Sequence, residues 1–448
     1  HFFRGEFGKK AAYPGRPLIS QEMSTGYPRN DDGHPTRFYL FQHHTPQSLV
    51  GPEAYENRDP ALFLQRQSFM TKELAETIRR TNREECAGVL HFAYVSWFKN
   101  AWDAKTIEPL LTYHALSDAL QPVLVSAELY GRHFYAGSST SVRVCIVNDS
   151  EAGMELPPGK LIWQIKSGSI ILATGALGTS AVGHYSNVWG EFALSFPADL
   201  PSSRIDATLI LLLEVNGKVE SKNSYDITIG TRSWANEGLN YPIAIFSSKS
   251  SVQLTALPIA GREITSFADA RPDEVVVVPN AEITLGNSKV DDELRRFVIS
   301  GGRVLLLHAG ARLPSLFPDQ VTNFRTCPGE IVSMHIPESP VFDGLEPLDL
   351  AWFELGGGRL PRACQGVYQI ESRRAETNML AEVVDIHGYL KTSADLAKYS
   401  GTPLVQLDAG KGRLIASEMM LVEAPQDPIA GRLLANLIKA LGSATVAT

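Results

Sequence analysis

The stretch from Arg16 to Pro28 holds the residue whose type and position are best suited to chemistry. A short apolar run leads to Glu22, and glycine, proline and polar residues follow at once. The pattern predicts a buried strand with a carboxylate at its C-terminal end, where the chain enters an irregular loop. In parallel α/β folds, that end of a strand is where ligands bind and catalytic groups lie. A carboxylate there could be the nucleophile or the general acid/base in glycosidic bond cleavage; an ordinary polar residue at a strand end is the alternative.

Glu6 is the rival carboxylate. It lies in the sequence Gly5-Glu6-Phe7-Gly8, which also ends a strand-like run. Glu22 is preferred as the nucleophile because it follows a better aliphatic strand. Glu6 remains a candidate active-site carboxylate.

The loop of residues 27–51 carries further polar candidates. Loops longer than roughly 12–15 residues in compact domains are often functional. His34 and Arg37, together with His43 and His44, could contact substrate hydroxyl groups or a substrate carboxylate. A solvated or structural role is the alternative for each of them.

Three predicted elements would position these residues. Residues 60–80 predict a helix, because apolar side chains recur with a period of about 3.6 residues and would therefore share one helix face. That face is formed by Phe63, Met70, Leu74 and Ile78. The near-continuous apolar run over residues 87–98 predicts a parallel strand buried on both faces. Residues 113–120 predict a helix that closes this region.

The segment Arg16–Pro28 resembles the seventh barrel strand of glycoside hydrolase family 2 and its relatives with a (β/α)8 catalytic domain. In that family the strand ends in the nucleophilic glutamate, which Glu22 matches. The resemblance implies that residues 1–120 are the C-terminal part of the catalytic barrel. Trp97 then matches a tryptophan that often floors the sugar site, with a plain core aromatic as the alternative. His91 would lie inside the eighth strand and point into the barrel.

Retaining glycosidases need two carboxyl groups about 5–5.5 Å apart. In the family, the acid/base glutamate lies on the fourth barrel strand, and this chain has no matching segment. The chain starts at His1, and Phe2 and Phe3 already fit the inside of a fold. We therefore expect a missing N-terminal segment or a second chain to carry the other half of the barrel.

Residues 121–235 predict an immunoglobulin-like β-sandwich. Short runs in which every second residue is apolar alternate with frequent turn signals, and helical patterns are scarce. Examples of such runs are Val142–Val147 and Tyr225–Gly230. No catalytic constellation is evident in this region. Trp163 and Trp189 could be sugar platforms, but core packing is the favoured interpretation.

Residues 236–448 alternate strand and helix patterns and predict a doubly wound α/β domain. Residues 243–246, 274–278 and 304–307 predict buried parallel strands, and residues 404–407 and 414–417 predict a hairpin. Asp427 and Pro428 are predicted to cap a last helix, which follows them. A further helix is predicted to open at Asp291.

This third region resembles the flavodoxin-like domain of class I glutamine amidotransferases, as it occurs beside the barrel of some β-galactosidases. Those amidotransferases place a nucleophilic cysteine at a sharp strand-to-helix turn, whereas this chain has His308-Ala309-Gly310 there. The resemblance therefore implies an inactive copy that helps subunits associate, with a small-ligand site at the strand ends as the alternative.

Composition excludes several classes of protein. The chain has 448 residues, 44% hydrophobic and 20% charged, which is typical of a globular protein of several domains. Its net charge of -8 argues against a nucleic-acid partner. No apolar run approaches the roughly 18–20 residues of a membrane helix. The four cysteines lack the spacing of a zinc or redox motif, and a Cys327–Cys364 disulfide is conceivable.

Together these features predict a multidomain chain that joins a partial (β/α)8 barrel, a β-sandwich and a doubly wound α/β domain. The predicted activity is retaining hydrolysis of β-linked sugars, with β-galactosidase first and a β-glucuronide or β-mannoside as alternative substrates. No metal and no cofactor are predicted, the predicted partners are the carbohydrate and the second barrel half, and an oligomer is expected. A periplasmic or extracellular location is favoured over a cytoplasmic one. The competing hypothesis is a non-catalytic accessory or assembly subunit of a carbohydrate-active complex.

Overall fold

The computed structural model describes residues 19–23, 60–81, 88–91, 94–247, 259–357, 359–370, 377–384 and 400–443. Strands predominate over helices in these ranges and form several sheets. The chain divides into two compact units, His1–Ile229 and Gly230–Thr448. The α-helices of the described residues are α1 Pro60–Thr81, α2 Leu111–Ala119, α3 Arg232–Ala235, α4 Ala281–Thr284, α5 Ser288–Ile299, α6 Arg312–Leu316 and α7 Pro428–Gly442.

The first unit contains a pair of parallel strands near its start. β1 (Ile19–Met23) pairs with β2 (Gly88–His91), and Met23 lies opposite His91. Parallel neighbours of this kind are consistent with the partial barrel that the sequence predicts.

The prediction of one continuous strand over residues 87–98 is wrong. β2 ends at His91, and a 3₁₀ turn follows at Tyr94–Ser96. The two-residue strand β3 (Phe98–Lys99) then pairs antiparallel with β4 (Glu108–Pro109). The turn brings Trp97 back beside His91, which an extended chain could not do.

Helices α1 and α2 confirm the two helices predicted in this region. The predicted apolar face of α1 is buried at Phe63 and Ile78, which are 1% and 6% exposed. The same helix also buries charged side chains, among them Glu76 and Arg80, which the apolar pattern does not indicate.

The rest of the first unit is a β-sandwich, as predicted. A three-stranded sheet in the order β10-β7-β5 and a five-stranded sheet in the order β6-β12-β11-β8-β9 enclose one apolar core. Trp163 lies in this core and stacks on Phe192, which confirms the favoured interpretation of that tryptophan. The strands are β5 Val123–Glu128, β6 His133–Tyr135, β7 Ser139–Asn148, β8 Gly159–Ser167, β9 Ile170–Thr179, β10 Ser186–Ser195, β11 Arg204–Val215 and β12 Lys218–Gly230.

The second unit is built on a ten-stranded sheet. Five of its strands are parallel and lie in the order β14-β13-β15-β16-β22, and antiparallel strands extend the sheet beyond β22. The three buried parallel strands that the sequence predicts are β13, β15 and β16. The strands are β13 Ile243–Phe246, β14 Arg262–Ile264, β15 Val275–Val278, β16 Arg303–Leu307, β17 Val321–Gly329, β18 Ser333–Met334, β19 Cys364–Ile370, β20 Thr377–Val384, β21 Ser400–Ala409 and β22 Gly412–Ser417.

Other predictions for this unit are confirmed in part. β21 and β22 form the predicted hairpin, and the side chain of Asp427 caps the last helix α7. Helix α5 begins three residues earlier than predicted, because Asn287 caps it by accepting the backbone N–H of Lys289. Cys327 and Cys364 are buried thiols that are not bonded to one another, so the conceivable disulfide is wrong.

Candidate functional site

The carboxyl ends of β1 and β2 form the part of the candidate active site that the structure describes. These adjacent parallel strands place the backbone of Glu22 and the backbone of His91 at the same edge. The pairing register shifts between Ser20 and Met23, so two residues of β1, one of them Glu22, oppose Leu90 alone. Such β-bulges are frequent beside active sites because they redirect a side chain. The side chain of Glu22 lies outside the described residues.

His91 and Trp97 are joined by a hydrogen bond at this edge. The indole N–H of Trp97 donates to Nδ1 of His91 over 2.8 Å. The other ring nitrogen of His91, Nε2, is buried and has no hydrogen-bond partner among the described residues. Burial lowers the pKa of His91 to about 4, so its imidazole is neutral at neutral pH.

Trp97 also packs in a small apolar cluster behind the strand. The buried members of that cluster come from α1 and α2, and Val89 of β2 packs against it with Trp97. The members from the two helices are Ala75, Ile78, Leu116 and Ala119. The predicted role of Trp97 as a sugar platform stays a prediction, and the structure adds that the two helices fix its position.

Further aromatic rings lead from Trp97 toward the surface. The ring of Tyr94 lies 6.1 Å from that of Trp97 and 6.3 Å from that of Trp102. Trp102 is 77% exposed, whereas Trp163, Trp234 and Trp352 are all buried. The aromatic rings therefore reach from the strand end to solvent.

A buried polar network ties α1 to the β-sandwich within the first unit. The carboxylate of Glu76 accepts hydrogen bonds from Ser126, Tyr225 and Asn223 and pairs with Lys72 and Arg80. Burial by itself would raise the pKa of Glu76, but the two cations and these hydrogen bonds lower it to about 2. The network is structural, because every partner is a fixed protein group.

The other predicted site residues are not brought together by the described structure. Glu6, His34 and Arg37 lie outside the described residues. No group of three or more metal-ligating side chains occurs within the ranges that the structure describes. In the same ranges, no helix is long and apolar enough to cross a membrane.

The second unit contains a charged cluster that the sequence did not indicate. His308 follows β16, and Glu418 follows β22, so both lie at the carboxyl ends of neighbouring parallel strands. Nε2 of His308 donates to Oε2 of Glu423 over 3.0 Å, and the Gln365 amide lies between Nδ1 and Glu418. Glu418 also accepts the backbone N–H of Gly310 over 2.9 Å.

This cluster favours charge pairing over catalysis. Burial opposes the charged form of His308, but the two glutamates outweigh it and raise the pKa to about 9. A protonated imidazole can act neither as a base nor as a nucleophile at neutral pH. His308 also has a backbone φ of 52°, in the left-handed region, directly after the buried strand β16. The sequence signal that could have found the cluster is the polar residue that directly follows each of two buried strands.

No family model matches the chain, and no curated protein matches it. Solved structures resemble parts of it. The exo-chitosanase CsxA of Amycolatopsis orientalis is 13% identical, with a TM-score of 0.27, over 40% of this chain and 21% of that enzyme. A β-galactosidase from a Rahnella species is 16% identical, with a TM-score of 0.28, over 45% of this chain and 31% of that enzyme. The sporulation control protein Spo0M of Bacillus subtilis is 10% identical, with a TM-score of 0.20, over 25% of this chain and 51% of that protein.

Proposed function

We propose that this chain supplies part of the active site of a retaining β-glycosidase of the family 2 type, with Glu22 as the nucleophile. The observation that carries the proposal is the parallel pairing of β1 with β2. It brings Glu22 to the carboxyl edge of adjacent strands, beside His91, and the pairing is irregular where Glu22 lies. Catalytic groups of parallel barrels occupy this edge.

The proposed reaction has two steps. The Glu22 carboxylate attacks the anomeric carbon, while an acid/base carboxyl group protonates the departing oxygen. Water, deprotonated by the same acid/base group, then cleaves the glycosyl–Glu22 ester and releases the sugar with its configuration retained. The acid/base group is proposed to come from a preceding segment or a second chain, and β-galactosides are the proposed substrates, ahead of β-glucuronides and β-mannosides.

The test is covalent trapping of the nucleophile. The chain, with any polypeptide that co-purifies, is treated with a 2-deoxy-2-fluoro-β-D-galactoside that carries a good leaving group, and the labelled peptide is sequenced by mass spectrometry. We expect the label on Glu22 and its loss in Glu22→Gln. The rival variant Glu6→Gln is expected to keep the label. A label that survives in Glu22→Gln contradicts the assignment, and hydrolysis at full rate by the chain alone contradicts the need for a second barrel half.

We also propose the division into a barrel segment (residues 1–120), a sandwich (121–235) and an α/β domain (236–448). For the α/β domain we propose a flavodoxin-like fold, and its parallel strand order supports this. When only the five parallel strands are numbered along the chain, their order in the sheet, β14-β13-β15-β16-β22, is 2-1-3-4-5. This is the strand order of flavodoxin-like sheets. With His308 in place of a cysteine, its proposed role is subunit association, which a native mass measurement of the purified protein tests.

A further inference from the structure

We infer that Trp97 fixes His91 as a neutral hydrogen-bond donor, and that the Nε2–H of His91 donates to a hydroxyl oxygen of the bound carbohydrate. Trp97 is then a positioning residue, and His91 is a residue that selects the substrate. The inferred contact between His91 and the carbohydrate rests on the proposed function.

The tautomer of His91 follows from the chemistry of its partner. An indole N–H can only donate a hydrogen bond. The ring nitrogen that it faces over 2.8 Å must therefore be the unprotonated acceptor, Nδ1. A neutral imidazole carries one proton, so that proton is on Nε2. Protonating Nδ1 would require the Trp97 bond to break, and the lowered pKa of His91 agrees with this.

The Nε2–H group lacks an acceptor in the described structure. It is shielded from solvent, so water does not replace the missing partner. A buried donor without a partner destabilises the fold, which is why most such groups are satisfied. A ligand oxygen that displaces the groups covering Nε2 and accepts its hydrogen bond recovers this free energy on binding.

The position of His91 indicates which ligand supplies the oxygen. His91 is the last residue of β2, at the same strand edge as Glu22. Its neutral ring offers a hydrogen bond without a charge, which suits a sugar hydroxyl group better than a carboxylate. The ring of Trp97 lies 6.1 Å from that of His91, and the ring of Tyr94 lies 6.1 Å from that of Trp97. The inferred contact therefore favours an uncharged β-glycoside over a β-glucuronide.

Nitrogen NMR of ¹⁵N-histidine-labelled protein tests the tautomer directly. The sample is the full chain with any polypeptide that co-purifies. The chain has 11 histidines, and the signal of His91 is assigned by its loss in His91→Gln. We expect a fixed Nε2–H tautomer that becomes a mixture in Trp97→Phe, which keeps an aromatic ring but removes the N–H donor along with part of the indole. The matched control Trp189→Phe changes a half-buried tryptophan of the sandwich and should leave the His91 signal unchanged. A mixed tautomer in the unmodified protein overturns the inference.

Isopropyl β-D-thiogalactoside, a β-galactoside that resists hydrolysis, tests the ligand contact. We expect its addition to shift the Nε2–H signal. We also expect roughly five- to tenfold weaker binding by His91→Phe and partial rescue by His91→Gln, whose amide N–H can replace Nε2–H. Unchanged affinity in His91→Phe overturns the contact. Binding with these shifts but without any hydrolysis of aryl β-galactosides overturns the proposed activity and leaves the His91 contact intact.

Discussion

The hydroxyl group of Tyr225 on β12 donates a hydrogen bond to the carboxylate of Glu76 on α1 over 2.6 Å, and both side chains are fully or almost fully buried. The two residues are 149 positions apart in the sequence, so this contact joins the predicted barrel segment to β12, the last strand of the sandwich along the chain. Arg80 pairs with the same carboxylate and also donates to the carbonyl oxygen of Ala127. The helix that supports Trp97 is therefore fixed to the sandwich by hydrogen bonds of its buried charged side chains.

Replacement of Glu76 by Gln should destabilise the first unit strongly. It leaves Arg80 buried without its counter-charge, and removing one partner of a buried ion pair costs about 3 kcal/mol or more. We expect a lower urea midpoint, together with faster hydrogen exchange in α1 and β12. Glu151→Gln, at an exposed turn of the sandwich, is the matched control.

The pH dependence of this effect has a defined sign. The pKa of Glu76 is lowered from 4.5 to about 2 in the folded protein, so its stabilisation is complete above pH 4.5 and is lost as pH falls toward 2. The difference in urea midpoint between wild type and Glu76→Gln should become smaller as the pH falls from 4.5 toward 2. A gap that stays constant from pH 7 to pH 3 contradicts the charge-based explanation.

Two glycines on β9 should respond in opposite ways to the same substitution. A methyl group at Gly175 would lie 2.4 Å from the buried indole of Trp163, whereas a methyl group at Gly178 meets no atom within 4 Å. Gly175→Ala should destabilise the protein by about 1–3 kcal/mol, because it forces a core ring to move. Gly178→Ala should be neutral or slightly stabilising, because it reduces the freedom of the unfolded chain. Thermal unfolding of the two variants, side by side, measures the difference; equal melting temperatures would contradict this account of the core.

His308→Asn should destabilise the second unit in a pH-dependent manner. Asparagine tolerates the left-handed backbone at this position, so the substitution mainly removes the charge pairing with Glu418 and Glu423. The pKa of His308 is raised from 6.5 to about 9 in the folded protein. Its stabilisation is therefore complete below pH 6.5 and is lost as pH rises through 9. We expect the free energy of unfolding of His308→Asn to be about 2 kcal/mol below that of wild type at pH 6. This value is smaller than the full pKa shift implies, because Glu423 is partly exposed.

Urea midpoints at pH 6 and pH 10 check this prediction. The deficit of His308→Asn should largely disappear at pH 10. The same substitution at His114, which is exposed on α2, is the control and should have little effect at either pH. An equal deficit at both pH values would mean that packing, and not charge, accounts for the role of His308.

Much of the architecture was determined locally and could be predicted from the sequence. The apolar face of α1, the alternating strands of the sandwich and the cap of α7 by Asp427 each depend on residues close together in the chain. Local patterns gave element types more reliably than their ends. The apolar run over residues 87–98 is an example, because apolar character cannot distinguish a strand from a tight turn that buries the same residues.

Only the tertiary structure decided the partners of the polar groups. The sequence singled out Glu22, His91 and Trp97 but could not show that β1 and β2 pair in parallel or that Trp97 donates to His91. It gave no sign that Glu76 meets Tyr225, because charged residues on amphipathic elements are usually solvated. The polar residues that follow two buried strands mark His308 and Glu418 as candidates, but the order of the residues does not show that those strands are neighbours. Hydrogen bonds and ion pairs act over a few ångströms between residues far apart in sequence, so they are specified by packing, whereas helix and strand periodicity is already present in the order of the residues.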